Sequence, residues 1–566
     1  QGVALYGPHL RDTFGYRDTV DQLNFEYPNA LLTHRMPIGT TQSIANADPA
    51  KVKALWRRLY RPGNAVLIVV GDFDPDAVVA AIRDRFAGWQ GPPPPPQPYV
   101  GPLGFDRKGK TEVYIDPALA ERVTVSRTGP WLDEPDTVAQ REEDILRQIG
   151  YGIINRRLQR LSREADPPFR DAGLGTGGVY KTGRTTSLVV DAADGEWQRG
   201  LAAAEREYRR ALAFGVTPAE VAEQVANIRT SVENQAAGSA TRPNALFVAA
   251  ALALLSDDKV PTTPESGLAR FNAYAPKITP AKVLAALKRE LVPLDDPLIR
   301  FEGRTAPKGG AAAIRAAWNG GMVVKLTRES EAALGTFDYT DFGPPGKVVS
   351  DTTGPLGIRE IVFANGLKLD LKPTDLQKDR IQVSLHIDGG QMLDTKEHPL
   401  ATAMSGALPV GGLGKHSYDE LQTILAGHAV SFGFGDGERI FRMGGMTTPR
   451  DLDLQLELLA AAISDPGYRP QGEAQYRRNI ENYFAQLDAT PNSALSSKLG
   501  GIESDDDPRF TLQPKAEYLA LSFAKLKQAI GGRLDHGALE LALVGDFKPS
   551  EVIPMVAKTL GSLPPR

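Results

Sequence analysis

The chain has 566 residues, a formal net charge of −4 and no cysteine. This length exceeds one hydrophobic core and predicts about two to four domains. The absence of cysteine excludes disulfides, thiolate metal sites and cysteine nucleophiles. The slightly acidic balance argues against nucleic acid as a partner, and no apolar run reaches the roughly 18 residues that span a bilayer.

The first strong pattern covers residues 48–86 and predicts a helix, a strand and a second helix. Asp48-Pro49 supplies an N-cap and a first-turn proline, and the apolar residues that follow share one helix face. The run at 66–70 is apolar at every position, which predicts a strand covered by other elements. Asp74-Pro75 caps the second helix. The residues of the first apolar face are Val52, Leu55, Trp56, Leu59 and Tyr60.

This pattern recurs along the chain. AKVKALW and LIVVGDF near residues 50–73 return as AKLKQAI and LALVGDF, and both Ala50 to Ala524 and Gly71 to Gly545 are separated by 474 positions. A weaker copy lies between them, displaced by 231 at Ala281 and by 232 at Gly303. The sequence therefore predicts tandem homologous units.

The motifs around the first copy resemble those of a known family. Residues 35–40 read RMPIGT and residues 60–75 read YRPGNAVLIVVGDFDP. Both resemble the insulinase/pitrilysin family of zinc metallopeptidases, and the resemblance covers essentially the whole chain, most strongly 35–88 and 358–566. It implies an α+β fold of tandem units, each a mainly antiparallel sheet with helices on one face. In the family, four such units form two bowl-like halves around a chamber that encloses unfolded peptides.

The resemblance and the composition together divide the chain. The proline run at 90–98 cannot join a helix or a central strand, and residues 305–357 show no sustained period. We expect a chain truncated at its N-terminus and lacking the fourth unit. The predicted segments are the end of the first peptidase-like domain at 1–90, a linker at 91–104, a second domain at 105–304, a connector at 305–357 and a third, non-catalytic domain at 358–566.

Further elements follow from local patterns. A strand is predicted from residue 111, and a helix at 140–164 ends in Arg156, Arg157 and Arg160. We interpret these arginines as a solvated helix end in preference to a substrate patch. Asn365-Gly366 between alternating apolar runs predicts a hairpin with a type I′ turn. Two short helices around a glycine-rich turn are predicted within 398–427.

The chemistry expected of the family is H-x-x-E-H, whose two histidines bind zinc and whose glutamate is the general base. The chain has no such motif, and none of its histidines are four positions apart. Aligning residues 399–406, PLATAMSG, with the family pattern puts Thr402, Ser405 and Gly406 in place of His, Glu and His. The resemblance therefore implies no catalytic or metal residue here. Glu481 lies near the position of the distant glutamate ligand and is interpreted as a surface residue.

In the first unit the resemblance aligns QGVALYG with ERGVVLSE, so that Gly7 occupies the position of the distant zinc-binding glutamate. Zinc is thus implied for the parent family, and none is expected on this chain.

Two other motifs are weaker candidates for a functional site. Gly411–Lys415 does not fit a phosphate-binding loop, because GxxxxGK[ST] would need glycine at Pro409 and Ser or Thr at His416. His416 and Glu420 are one helical turn apart and form a candidate metal site with His428, although exposed helix residues are the favoured interpretation.

Two functions remain open at this stage. The chain is either part of a zinc metalloendopeptidase, supplying chamber walls and requiring a complementary fragment or subunit with H-x-x-E-H, or an inactive peptide-binding or assembly subunit that pairs with an active one. Unstructured peptides are the expected ligands in both cases, so whether the chain itself is an enzyme stays open. A periplasmic or secreted location is predicted, with the cytoplasm as the alternative.

Overall fold

The computed structural model describes residues 13–328 and 335–566. Its α-helices are α1 Phe14–Glu26, α2 Thr41–Ala45, α3 Pro49–Leu59, α4 Pro75–Phe86, α5 Val138–Ser162, α6 Trp197–Phe214, α7 Pro218–Ala237, α8 Asn244–Asp257, α9 Pro264–Tyr274, α10 Pro280–Glu290, α11 Gly310–Met322, α12 Tyr418–Ile424, α13 Leu452–Ser464, α14 Pro470–Gln486, α15 Pro491–Ser504, α16 Lys515–Leu519, α17 Phe523–His536 and α18 Pro549–Lys558. Its strands are β1 Thr111–Ile115, β2 Arg122–Pro130, β3 Asp171–Val179, β4 Gly183–Asp191, β5 Leu298–Gly303, β6 Val348–Thr353, β7 Arg359–Phe363, β8 Lys368–Pro373, β9 Ile381–Asp388, β10 Gly435–Asp436, β11 Ile440–Thr447 and β12 Leu539–Gly545.

A five-stranded sheet with the order β1-β5-β2-β4-β3 organises the middle of the chain. Only the β1–β5 pair is parallel. Alternate residues of the strands enter one core with α5, α6, α10 and α11, where Trp318 and Phe301 are among the largest buried side chains. Arg300 and Glu302 point from β5 to the opposite face and are buried there. Arg300 donates to Asp18 of α1 at 2.6 Å, so α1 covers that face.

A seven-stranded sheet with the order β10-β11-β9-β12-β8-β7-β6 organises the last third. Its central strand β12 runs parallel to β8 and antiparallel to β9. Helices α13 and α17 share the core of this sheet. Both sheets are therefore mainly antiparallel with a helical layer, which confirms the predicted fold class.

Charged side chains join the helices of the two sheets. Asp419 at the start of α12 accepts from Arg156 at 2.8 Å and from Arg163 at 2.7 Å. Arg157 is buried and donates to Glu220 at 2.6 Å and to Glu207 at 3.1 Å. The interpretation of a solvated helix end is therefore wrong for Arg157, because carboxylates from two other helices surround its guanidinium.

The first copy of the repeat departs most from its prediction. Both helices form as α3 and α4, and Asp48 and Asp74 cap them as predicted. Residues 65–70, however, form no strand, and Val66, Leu67 and Val69 are exposed. The whole predicted apolar face of α3 is exposed as well. The strand prediction at 66–70 is wrong for this structure, because a strand needs hydrogen-bonding neighbours and no described segment pairs with these residues.

One smaller prediction, the turn type at Asn365-Gly366, is also corrected. The hairpin β7–β8 is confirmed, but its turn is not type I′: of Asn365 and Gly366, only Gly366 has a positive φ, at 91°. The region predicted as a connector contains α11, whose Ile314 and Trp318 are buried, and β6. Within 398–427, the two predicted short helices are present, the first as a 3₁₀ helix at Ser405–Gly411 and the second as α12. In the part of the chain that is described, no helix is long and apolar enough to cross a membrane.

Candidate peptidase-like site

The segment that the sequence alignment places at the position of the zinc-binding helix lies between β9 and α12. It folds as turns and a 3₁₀ helix, and Pro409 inside this helix is incompatible with a regular α-helix. The buried Thr402 donates its hydroxyl to Asp394 at 3.1 Å, and its backbone N–H donates to the same carboxylate at 2.9 Å. Burial raises the pKa of Asp394, and these hydrogen bonds oppose the shift.

Ser405 is fully buried beside Thr402 in the same segment. Its hydroxyl donates to Asp436 Oδ1 at 2.9 Å, and Gln391 donates to the other oxygen of that carboxylate at 3.1 Å. A Cβ added to Gly406 would have no neighbour within 4 Å, so Gly406 brings neither a ligand nor a close packing contact. Thr402 and Ser405 therefore form a small hydrogen-bonded network that joins this segment to residues 391–394 and to β10.

These residues do not fit a zinc ion. Protein zinc sites use thiolate, imidazole or carboxylate ligands, and both hydroxyls here already donate to carboxylates. Across residues 13–328 and 335–566, no group of three His, Asp or Glu side chains could hold a metal ion. The arrangement can position a polypeptide segment, and it contains no set of ligands for a metal.

A cavity of about 650 Å³ borders the same segment. Leu400 and Met404 line it from one side, and Leu521 and Leu526 line it from the side of α17. Cavities of this size with a mainly apolar lining bind small ligands or the side chains of peptides.

The remaining candidates lie apart from this network. Glu481 is exposed on α14, as predicted for a surface residue. Gly7 lies outside the described residues. Glu420 accepts from the backbone N–H of Ser417 at 2.7 Å in a capping box, which explains its lowered pKa.

The two histidines of the alternative metal site have other partners. His416 is buried and stacks on Phe337, and its Nε2 accepts from the backbone N–H of Asp338 at 3.1 Å. His428 lies 2.9 Å from the carboxylate of Asp451. The structure does not bring His416, Glu420 and His428 together as a metal site, since each serves a cap or a loop contact.

Sequence patterns gave no indication of Asp394 and Asp436, the acceptors of the network. Asp436 lies 31 positions from Ser405 along the chain. A motif aligned on 399–406 contains no signal for such partners, because only the pairing of β10 with β11 brings Asp436 to the segment.

A family model matches a different part of the chain from the segment that contains Thr402 and Ser405. Residues 46–228 match the model of the Peptidase M16 inactive domain. The match includes the first copy of the repeat, which lies in one of the two regions where the resemblance is strongest. This match supports the predicted resemblance to the insulinase/pitrilysin family.

Curated family relatives match over nearly the whole chain. The chloroplastic stromal processing peptidase of Arabidopsis thaliana is 21% identical over 98% of this chain and 51% of its own length. The probable zinc protease PqqL of Haemophilus influenzae is 20% identical over 94% of this chain and 57% of its own length. The chain thus spans a little over half the length of these family members.

Solved structures share the fold. A mutant of the ferredoxin protease FusC, in complex with Arabidopsis ferredoxin, superposes with a TM-score of 0.62 at 16% identity, covering 100% of this chain and 63% of FusC. The periplasmic protease PqqL from Escherichia coli superposes with a TM-score of 0.51 at 16% identity, covering 100% of this chain and 63% of PqqL. The fold of these two proteases therefore extends over both sheets of this chain.

Proposed function

We propose that this chain supplies walls of a peptide-enclosing chamber in an insulinase-family zinc endopeptidase, and that a complementary polypeptide region provides the H-x-x-E-H helix. The proposal keeps the domain division predicted from the sequence. It is neutral on whether the complementary region is continuous with this chain or a separate subunit. A periplasmic location, like that of the PqqL protease from Escherichia coli, is part of the proposal.

The observation that carries the proposal is the uncovered apolar surface of the first copy. Val52, Trp56 and Tyr60 expose one side of α3, and Leu67 and Val69 are exposed in the following segment. In the third copy the corresponding helix and strand belong to a core shared with β8, β9 and α13. Because exposed apolar area of this extent favours association, a sheet from the complementary region is the natural cover.

The total accessible surface supports the same inference. It amounts to 29821 Å² for a chain of 61.1 kDa. A compact monomer of this mass exposes roughly 19,600 Å². The excess is much larger than a standard protein interface, which buries about 1,600 Å² in total.

Helix α8 extends the uncovered surface into the next unit. Its first residue lies 230 positions after the first residue of α1, so the two helices occupy matching places in the repeat. Helix α1 covers the five-stranded sheet, whereas Leu246, Leu252 and Leu255 of α8 are exposed. Helix α8 begins beside Gly71, where a Cβ would lie 4.0 Å from the Asn244 side chain. A sheet completed around residues 65–70 would therefore cover α8 as well.

The test is reconstitution. The chain is produced alone and together with an insulinase-like first unit that carries H-x-x-E-H, and zinc content and cleavage of an unstructured peptide are measured. We expect about one zinc per complex and chelator-sensitive cleavage, both absent from the chain alone. Leu67→Asp should prevent assembly, whereas Leu495→Asp, at a similarly exposed leucine on α15, should not. Stoichiometric zinc and cleavage by the chain alone would contradict the proposal.

The second candidate is a catalytically inactive subunit that binds peptides and pairs with an active one. The hydrogen-bonded network at Thr402 and Ser405 favours it, because this network stabilises the segment without any catalytic group. The same preparation separates the two functions. A reconstituted complex that binds the peptide without zinc and without cleavage supports the inactive subunit.

A further inference from the structure

A second cleft, of about 680 Å³, lies where the helices of the five-stranded sheet meet the loop between β8 and β9. Residues from α7, α9 and the turn at 238–243 form one wall, and Gln377, Lys378 and Arg380 form the other. The backbone N–H of Lys378 donates to Thr241 Oγ1 at 2.9 Å, so the two walls are in contact at one end.

The charges of this cleft have one sign. Arg242, Arg270, Lys378 and Arg380 line it, and no carboxylate is among its lining residues. Lys378 has an acidic partner behind the wall, Asp546 at 3.7 Å. The other three cations, Arg242, Arg270 and Arg380, take part in none of the ion pairs found within 4.0 Å among the described residues. The carboxylates that interact with these cations, Asp546, Glu265 and Asp379, are not lining residues, so the concave surface itself carries four cations and a positive potential that attracts anions.

The arginines Arg242 and Arg270 are held by neutral groups instead. Arg242 donates to the backbone carbonyl of Ser239 at 3.2 Å, and its guanidinium lies 4.4 Å from the centre of the Phe247 ring. Arg270 donates to Ser266 Oγ at 2.8 Å. These contacts orient the guanidinium groups without pairing them directly with a carboxylate.

The other lining residues indicate what kind of anion fits. Asn234, Gln235 and Gln377 carry amide groups, which can donate to and accept from a peptide backbone. Val232, Pro243 and Leu246 add apolar surface. Spaced cations, amides and apolar patches suit an extended chain with several carboxylates better than a compact anion such as phosphate.

We propose that this cleft binds acidic stretches of polypeptide, with Arg270 and Arg380 contacting carboxylates from opposite walls. This inference rests on the proposed role in peptide capture and adds a preference for acidic sequences. It assigns that preference to a site at the junction of the two sheets, apart from the Thr402 network.

The experiment uses two fluorescent octapeptides, one with four glutamates and one with glutamines in their place. Binding to the full chain is measured by anisotropy at about 0.05 and about 0.5 M NaCl. We expect the glutamate peptide to bind more tightly at low salt, with the difference shrinking at high salt. Arg270→Gln and Arg380→Gln should each weaken its binding about two- to five-fold, as for exposed ion pairs, and leave the glutamine peptide unchanged.

Arg439→Gln is the matched control, since Arg439 is an exposed arginine of the third unit outside the cleft. Thermal unfolding of every variant verifies that it is folded. Equal binding of the two peptides, or a glutamate preference that survives both cleft substitutions, would overturn the inference while leaving peptide capture intact. Binding of neither peptide would overturn peptide capture as well.

Discussion

The first and third copies of the repeat have closely similar sequences and opposite environments. Trp56 is 52% exposed and its counterpart Ile530 is fully buried; Leu67 is 59% exposed and its counterpart Leu541 is fully buried. The helices α3 and α17 nevertheless form in both copies, each capped by a side chain at the same repeat position. Only the strand differs, because β12 pairs with β8 and β9 while residues 65–70 have no described partner.

This difference separates local from non-local determinants. A helix satisfies its backbone groups internally, so an N-cap and a suitable sequence suffice to define its ends. A strand donates and accepts across the sheet, so its formation depends on neighbours that a local sequence does not contain. The same heptapeptide pattern can therefore be a central strand or an exposed extended segment.

The largest expected effect is in amide hydrogen exchange. The amides of residues 540–544 should exchange more slowly than those of 66–70 by on the order of 10³-fold or more, because a central strand exchanges only through large-scale opening. Mass spectrometry of deuterated peptides measures both segments in one sample. Equal protection of the two segments would show that 66–70 is already paired. Addition of the complementary unit should slow exchange at 66–70 and leave 540–544 unchanged.

Truncation of paired leucines should give the next largest effect. Leu541→Ala should destabilise the seven-stranded sheet by about 2–5 kcal/mol, since it leaves a cavity in a packed core. Leu67→Ala, at the same repeat position, should change stability by less than about 0.5 kcal/mol. Urea unfolding followed by circular dichroism measures both. A similar loss in the two variants would mean that residues 65–70 are packed in solution.

Much of the fold could be predicted from the sequence where the signal is local. The caps at Asp48 and Asp74 and the hairpin around Gly366 all appear in the structure. The exposure of Leu67 and the burial of Arg157 could not be predicted, because both depend on segments far away in sequence. The same holds at the candidate site. The motif alignment located Thr402 and Ser405, and their carboxylate partners became visible only in the folded chain.

A pH effect distinguishes α1, which packs on the five-stranded sheet, from the exposed first copy of the repeat. Burial, followed by the charge of Asp21, raises the pKa of Glu112 to about 7. Burial, followed by the charge of Asp18, raises the pKa of Glu302 to about 7 as well. The pKa values of both carboxyl groups are higher in the folded chain than in the unfolded chain. Their contribution to the free energy of unfolding is therefore complete below about pH 4.5 and is lost as pH rises through about 7. Over this pH range the packing of α1 on the sheet should lose about 2 kcal/mol of stability. This figure is smaller than the pKa shifts alone would give, because Glu112 is partly solvated.

The measurement compares unfolding of the wild type and of Glu112→Gln/Glu302→Gln between about pH 5 and 8. Subtracting the two curves removes the titration of all other carboxylates. The free energy of unfolding of the double variant minus that of the wild type should increase with pH, since the glutamines cannot ionise. A flat difference would contradict the assignment of raised pKa values to this interface.

The smallest expected effect concerns the caps, where the two copies should finally behave alike. Asp48 accepts from the N–H of Lys51 at 2.7 Å, and Ser522 accepts from the N–H of Lys525 at 3.3 Å. Replacing either residue by alanine should speed amide exchange in the first turn of its helix about five-fold, because the cap acts locally whatever surrounds the helix. Asp48→Asn and Ser522→Thr, which keep an acceptor, should restore the slower exchange. If only Ser522→Ala has an effect, then α3 is not held by its own cap, and the contrast between the copies extends to their helices.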